Sequence, residues 1–271
     1  MIIVTGTPRG GTSLWMQLLR SAGLDVLGAA FPREWRERLA HHNPDGFYES
    51  QLREGVYYKT NPNPKTGRYL HPDRTRRLAV KVFAQGLVRS DHAFLDHVIV
   101  SIRSWREVAV SLRRMRHDEA LAYRWSEAAK PIVLRPPEVE WLADVFTVVR
   151  DLATRRYNAR LVSHRALLTD PQSVLTDVFA FLNLPEPVDV AALAAGVRPD
   201  LHRHRDPALD EVVFDDATIA ALDAFVDAVN AGQWADPAVL TGLNEAWTRA
   251  TDAGWLDLRL PWTDPRVVGR P

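Results

Sequence analysis

The chain has no cysteine among its 271 residues. Disulfides, thiolate-bound zinc, iron–sulfur clusters and thiol catalysis are therefore excluded. It also lacks an excess of charge: 34 cationic residues balance 34 acidic ones. A general nucleic-acid binder carries a basic surplus, so no nucleic-acid partner is expected. No apolar run approaches the roughly 18 residues of a membrane span, so no membrane partner is expected either. No charged leader or cleavage site precedes the first apolar run, Ile2 to Thr5, and the expectation is a cytoplasmic protein. Lysine is nearly missing. Lys59, Lys65, Lys81 and Lys130 are the four lysines, and the other 30 cations are arginine. Arginine offers a flat fork of donors suited to phosphate and sulfate. Most of the thirty read as compositional bias, so the useful question is which of them are placed.

What is present reads as one folded α/β domain over residues 1–271. Ile2 to Thr5 reads as a strand, followed by a Gly-rich turn and a helix from Ser13 to Ser21 with Gly23 beyond its end. Residues 28–75 are irregular, rich in Pro, Asn, Arg and aromatics, and long loops inside compact domains are usually functional. Leu78 to Phe83, Val98 to Ile102 and Ala159 to Val162 read as further buried strands. Helices are expected from about Trp105 to Arg116, after Pro137, after Asp170-Pro171, and in a helical C-terminal extension over 206–271. Asp170 suits an N-cap and Pro171 the first helical position. Strands alternating with helices predict a three-layer α/β/α fold with a central parallel sheet.

The most informative stretch is Gly6-Thr7-Pro8-Arg9-Gly10-Gly11-Thr12-Ser13, between the first strand and the first helix. Glycines let the backbone approach an anion closely. The helix start adds free N–H groups and a positive dipole end. Thr12 and Ser13 add hydroxyls. The segment nearly fits G-x-x-x-x-G-K-[ST], but Thr12 stands where that pattern has Lys. The strand ending Ser101-Ile102-Arg103 offers no Asp for magnesium. Both departures disfavour a P-loop kinase, which stays as the alternative reading.

Thr7-Pro8-Arg9-Gly10-Gly11-Thr12-Ser13 resembles the 5′-phosphosulfate loop, P-[KR]-[SG]-G-T-[ST], of sulfotransferases that use 3′-phosphoadenosine 5′-phosphosulfate (PAPS). Independently, the strand ending in Arg103 and the Ser111 that follows eight residues later are similar to that family's 3′-phosphate site, with Trp105 where the family usually has Pro. His42-Asn-Pro-Asp-Gly-Phe-Tyr-Glu49 is similar to an N-P-x-G-[FY]-x-E segment of bacterial members. Ser163-His-Arg-Ala-Leu-Leu-Thr-Asp170-Pro171 resembles the family's closing strand–turn–helix. Arg198 to Arg205 is similar to its basic loop, where Arg203 stands in for a missing R-K-G. The resemblance spans residues 1 to about 205.

This resemblance implies a P-loop-like sulfotransferase fold and sulfuryl transfer from PAPS to a small-molecule hydroxyl, without a required metal. It makes Pro8, Arg9, Gly10, Gly11, Thr12, Ser13, Arg103, Ser111 and Arg203 donor-binding, and Arg9 the charge stabiliser. The base stays open. Phe83 occupies the place of the eukaryotic catalytic His. Glu34 lies 25 residues after Arg9, where other branches carry a catalytic Glu; Glu49 and His42 are the alternatives. Lys81 is read either as an aid to the leaving oxygen or as a core-edge Lys. Trp35, Phe47, Tyr48, Tyr57, Tyr58 and Tyr69 are candidates for an acceptor pocket. A nucleotide-binding homologue without transferase activity is the non-enzymatic alternative.

Overall fold

A computed structural model describes residues 1–31, 39–199, 209 and 211–269. In chain order its elements are β1 (Ile2–Gly6), α1 (Thr12–Ser21), β2 (Asp25–Leu27), β3 (Leu78–Lys81), α2 (Ala84–Arg89), β4 (His97–Ile102) and α3 (Trp105–Ala122). There follow β5 (Val133–Leu134), α4 (Pro137–Arg155), β6 (Ala159–Ser163), α5 (His164–Thr169), α6 (Pro171–Leu182) and α7 (Val190–Ala195). The last are α8 (Asp216–Asn230), α9 (Pro237–Asp252) and β7 (Leu260–Pro261).

Five strands form a parallel sheet in the order β2-β3-β1-β4-β6. Alternate side chains on each strand serve opposite cores. Ile3, Val80, Val98 and Val100 pack with Leu87, Trp141 and Phe225 on one face. Ile2, Val4, Ala79 and Ile99 pack with Trp15, Leu19, Leu175 and Phe179 on the other. Burial on both faces explains why these strands read as continuous apolar runs rather than alternating ones. The architecture is the expected three-layer α/β/α.

The strand order positions the site. From β1 the chain moves toward the β2 edge, and from β4 toward β6. The C-terminal ends of β1 and β4 therefore flank a topological switch point, where ligands bind in open α/β sheets. In register, Gly6 pairs with Ser101, so the loop after β1 and the turn after β4 leave the sheet side by side. Trp105 is fully buried and donates its indole N–H to Asp223 at 2.7 Å. The same carboxylate takes Arg106 at 2.7 Å. Trp105 thus ties the start of α3 to α8.

Several short elements were not legible in advance. β2 is only three residues long, α2 directly follows β3, and β5–β7 is a two-residue antiparallel pair. Each is too short to carry a periodic signal. Helix α3 runs six residues beyond the expected Arg116, to Ala122.

Candidate functional site

The loop after β1 needs glycine at two points. A Cβ on Gly6 would sit 2.4 Å from the Ser101 carbonyl oxygen. Gly11 has φ +92°, and a Cβ there would meet the His164 ring at 2.4 Å. Close strand contact on one side and an imidazole on the other thus fix the loop's path. The Ser101 hydroxyl donates to the Gly10 carbonyl at 2.7 Å. The amides of Gly11, Thr12 and Ser13 donate to no group among the described residues. All three residues line one cavity of about 280 Å³ at the start of α1. Successive amides without acceptors at a helix start form an anion cradle.

Arg9 itself adopts a left-handed backbone, φ +64°. Its Nε donates to Ser111 Oγ at 3.0 Å and its Nη2 to the His42 carbonyl at 2.8 Å. Arg103 pairs through Nε with Glu107 at 2.7 Å, and its Nη1 donates to the Arg9 carbonyl at 3.3 Å. The Trp141 indole N–H holds the Arg103 carbonyl at 2.9 Å. The two motifs, about a hundred residues apart in sequence, are therefore in direct contact.

Lys81 ends β3 beneath this cradle. Its Nζ lies 2.6 Å from Glu49 Oε1 and donates to the Phe47 carbonyl at 2.8 Å and to Ser13 Oγ at 3.4 Å. Burial lowers its pKa, while Glu49 opposes that shift. Both side chains are buried, so the pair is held in a low-dielectric setting.

Among the described residues, the cavity's carboxylates are Asp45, Glu49 and Glu119. Asp45 is taken by Arg198 at 2.6 Å and Glu49 by Lys81. The Glu119 carboxylate makes no hydrogen bond among the described residues. Its pKa is raised by burial, against the pull of Arg116 and Arg9. His42 also lines the cavity, and its pKa is lowered to about 4, first by burial and then by the Arg9 charge.

Of the residues singled out in the sequence, Pro8, Arg9, Gly11, Thr12, Ser13, Glu49, Arg103 and Ser111 line the same cavity. Gly10 supports it from behind through Ser101. Glu34 and Arg203 lie outside the described residues. The aromatic expectation needs correction. Phe47 lines the cavity, but Tyr48 is buried in a core, and Tyr58 and Tyr69 are exposed. Trp35 lies outside the described residues. Glu119 was missed. Ser111, Met115 and Glu119 all line the cavity, and their four-residue spacing places them on one face of α3. That spacing, extended from Ser111, was the available signal.

No family model matches the chain. No curated protein matches it in sequence. Among solved structures the chain is similar to the sulfotransferase domain from the curacin biosynthetic pathway, at 15% identity and a TM-score of 0.45, over 79% of this chain and 93% of that one.

Proposed function

We propose that this protein is a sulfotransferase, moving a sulfuryl group from PAPS to a hydroxyl of a small-molecule acceptor. The observation that carries the reading is the contact between two anion-receiving motifs at one switch point. The amides of Gly11 to Ser13 suit the phosphosulfate end of the donor. Arg103 and Ser111 suit a second phosphate. A nucleotide charged at both ends would span them.

In this reading the acceptor oxygen attacks sulfur in line. The bond from sulfur to the bridging phosphate oxygen breaks, and 3′,5′-adenosine bisphosphate leaves. Arg9 and Lys81 supply positive charge as that bond stretches. Glu119 takes the acceptor proton, because among the described residues it is the cavity carboxylate without a hydrogen bond, and its raised pKa brings it nearer to neutral pH. Glu49 holds Lys81 in place.

Calorimetry with 3′,5′-adenosine bisphosphate and with ATP plus magnesium tests the nucleotide. Tight bisphosphate binding and weak ATP binding are expected, and the reverse would establish the P-loop kinase reading. Incubating PAPS with a panel of hydroxyl acceptors should release the bisphosphate. Binding with no release across the panel would favour a nucleotide-binding homologue without transferase activity.

A further inference from the structure

His41 and His42 are adjacent on a short 3₁₀ turn, Ala40–His42. Their rings lie 4.2 Å apart between centroids. Both present Nε2 to the same oxygen of Asp118 on α3, His41 at 3.0 Å and His42 at 2.8 Å. The three donor atoms all lie within 4.8 Å of one another.

One carboxylate oxygen thus faces both imidazoles. His41 meets it with hydrogen-bond geometry. His42 does not: its side chain is only 6% exposed, and Nε2 is buried without a hydrogen bond despite the short distance. A buried ring nitrogen aimed at a carboxylate, but not bonded to it, is costly unless a third party satisfies it. A cation between the three atoms is such a party. It would accept both ring lone pairs and neutralise the carboxylate.

We propose that His41, His42 and Asp118 bind one divalent cation of the zinc type. Two imidazoles and one carboxylate form a donor set that borderline metals favour over magnesium or calcium. Metal–ligand bonds of about 2.0–2.1 Å put tetrahedral ligand atoms roughly 3.3 Å apart, so the two nitrogen–oxygen spacings of 3.0 and 2.8 Å need only a small outward adjustment. His41 would shift its ring proton from Nε2 to Nδ1, with no net proton lost. Three protein ligands leave further coordination positions to water or another ligand.

The site's role is to fasten a loop. Among these ligands His42 also touches the anion cavity's charged machinery, since its carbonyl accepts from Arg9. A metal would pin the turn carrying that carbonyl to α3, and so restrict where Arg9 can lie. The site stands whether or not the donor is PAPS.

The test uses the full chain, stripped with chelator and free of nucleotide. Zinc alone is titrated by calorimetry, and cobalt alone is followed by its visible absorption. One equivalent should bind, with a cobalt spectrum of nitrogen and oxygen ligation and a raised melting temperature. His42→Ala and Asp118→Asn should each weaken binding by more than about tenfold. A double His202→Ala/His204→Ala variant should bind as the parent does. Asp118→Asn decides the matter if His42→Ala fails to fold, because Asp118 is half-buried and at the surface. Absence of binding, equal binding by Asp118→Asn, or loss in the His202/His204 variant would each overturn the proposal.

Discussion

The guanidinium of Arg9 donates to the hydroxyl of Ser111 at 3.0 Å, joining the loop after β1 to the helix after β4. Under the proposed function these groups serve opposite ends of one donor, so their mutual bond must be exchanged for bonds to the ligand. Arg9→Ala should lower turnover by about 10²–10³-fold, the usual cost of removing a transition-state charge stabiliser. Arg9→Lys should recover only part of it, since a point charge does not reproduce the fork that now spans Ser111 and His42. Steady-state assays of bisphosphate release check both. Parental turnover in Arg9→Ala would remove Arg9 from the chemistry.

Arg103 sits at the other end, already paired with Glu107. Arg103→Ala should raise the donor KM by at least about tenfold with a smaller effect on kcat, because it contributes binding rather than transition-state contacts. A variant whose kcat falls while the donor KM holds would place Arg103 in the chemical step instead.

The base is tested by comparing Glu119→Gln, Glu49→Gln and Glu34→Gln. Glu119→Gln should cut kcat by about 10²–10⁴-fold while sparing bisphosphate binding. Glu49→Gln should act through Lys81, whose amine loses the partner that supports its charge, and should therefore weaken nucleotide binding as well. Because the base must be ionised, the parent's activity should fall as pH drops through the raised pKa of Glu119. That acid limb should lie above the ordinary carboxylate range and vanish in Glu119→Gln. If Glu34→Gln alone abolishes transfer, the role belongs to Glu34.

Much of this site was legible because its two motifs are local. A strand, a Gly-bearing turn and a helix start are read from a dozen residues, and an Arg at a strand end with a Ser two turns onward from nine. The third contributor was less visible. Glu119 carries no motif, and its meaning comes from α3 running past Arg116 with one face on the cavity. Lys81 and Glu49 were each singled out, but not as a pair, because the irregular segment between β2 and β3 brings them together. The misjudged aromatics have the same origin. Tyr58 and Tyr69 share that segment with Phe47, and sequence proximity does not fix which of them faces inward. Trp105 could be read as a departure from a pattern, but not as an anchor, since its partner Asp223 lies 118 residues away.

Stability away from the site should depend on a buried pair. Glu138 is fully buried, accepts from the Val213 amide at 3.3 Å, and meets Arg113 at 3.3 Å. Burial raises its pKa while Arg113 pulls it back. Glu138→Ala takes the carboxylate from a buried guanidinium and should cost about 3–5 kcal/mol. Replacing the charge but not the shape, with Glu138→Gln, should cost less because the amide oxygen still accepts. Urea denaturation of the two variants distinguishes the cases. An equal loss in both would mean that charge pairing, rather than the unsatisfied partner, sets the cost.

Asp144 should make stability depend on pH in the opposite sense to a salt-bridged carboxylate. Its pKa is raised to about 7 by burial, with Glu140 adding to the shift and Arg135 opposing it. Between the unfolded value near 3.8 and about 7, the folded state holds a proton that the unfolded state has released. Stability from this group is therefore full below the unfolded pKa and is lost as pH rises, with the loss complete above about 7. His42 acts oppositely over nearly the same range. Lowered from 6.5 to about 4, it binds fewer protons when folded, so its contribution grows as pH rises. The two slopes largely cancel in the parent chain. Asp144→Asn removes one of them, so its stability relative to the parent should climb by about 1–3 kcal/mol between pH 4 and 7. Denaturation measured in chelator at several pH values, which keeps His42 free of metal, reads this directly. A difference that stays flat across the range would show that Asp144 ionises normally in the folded protein.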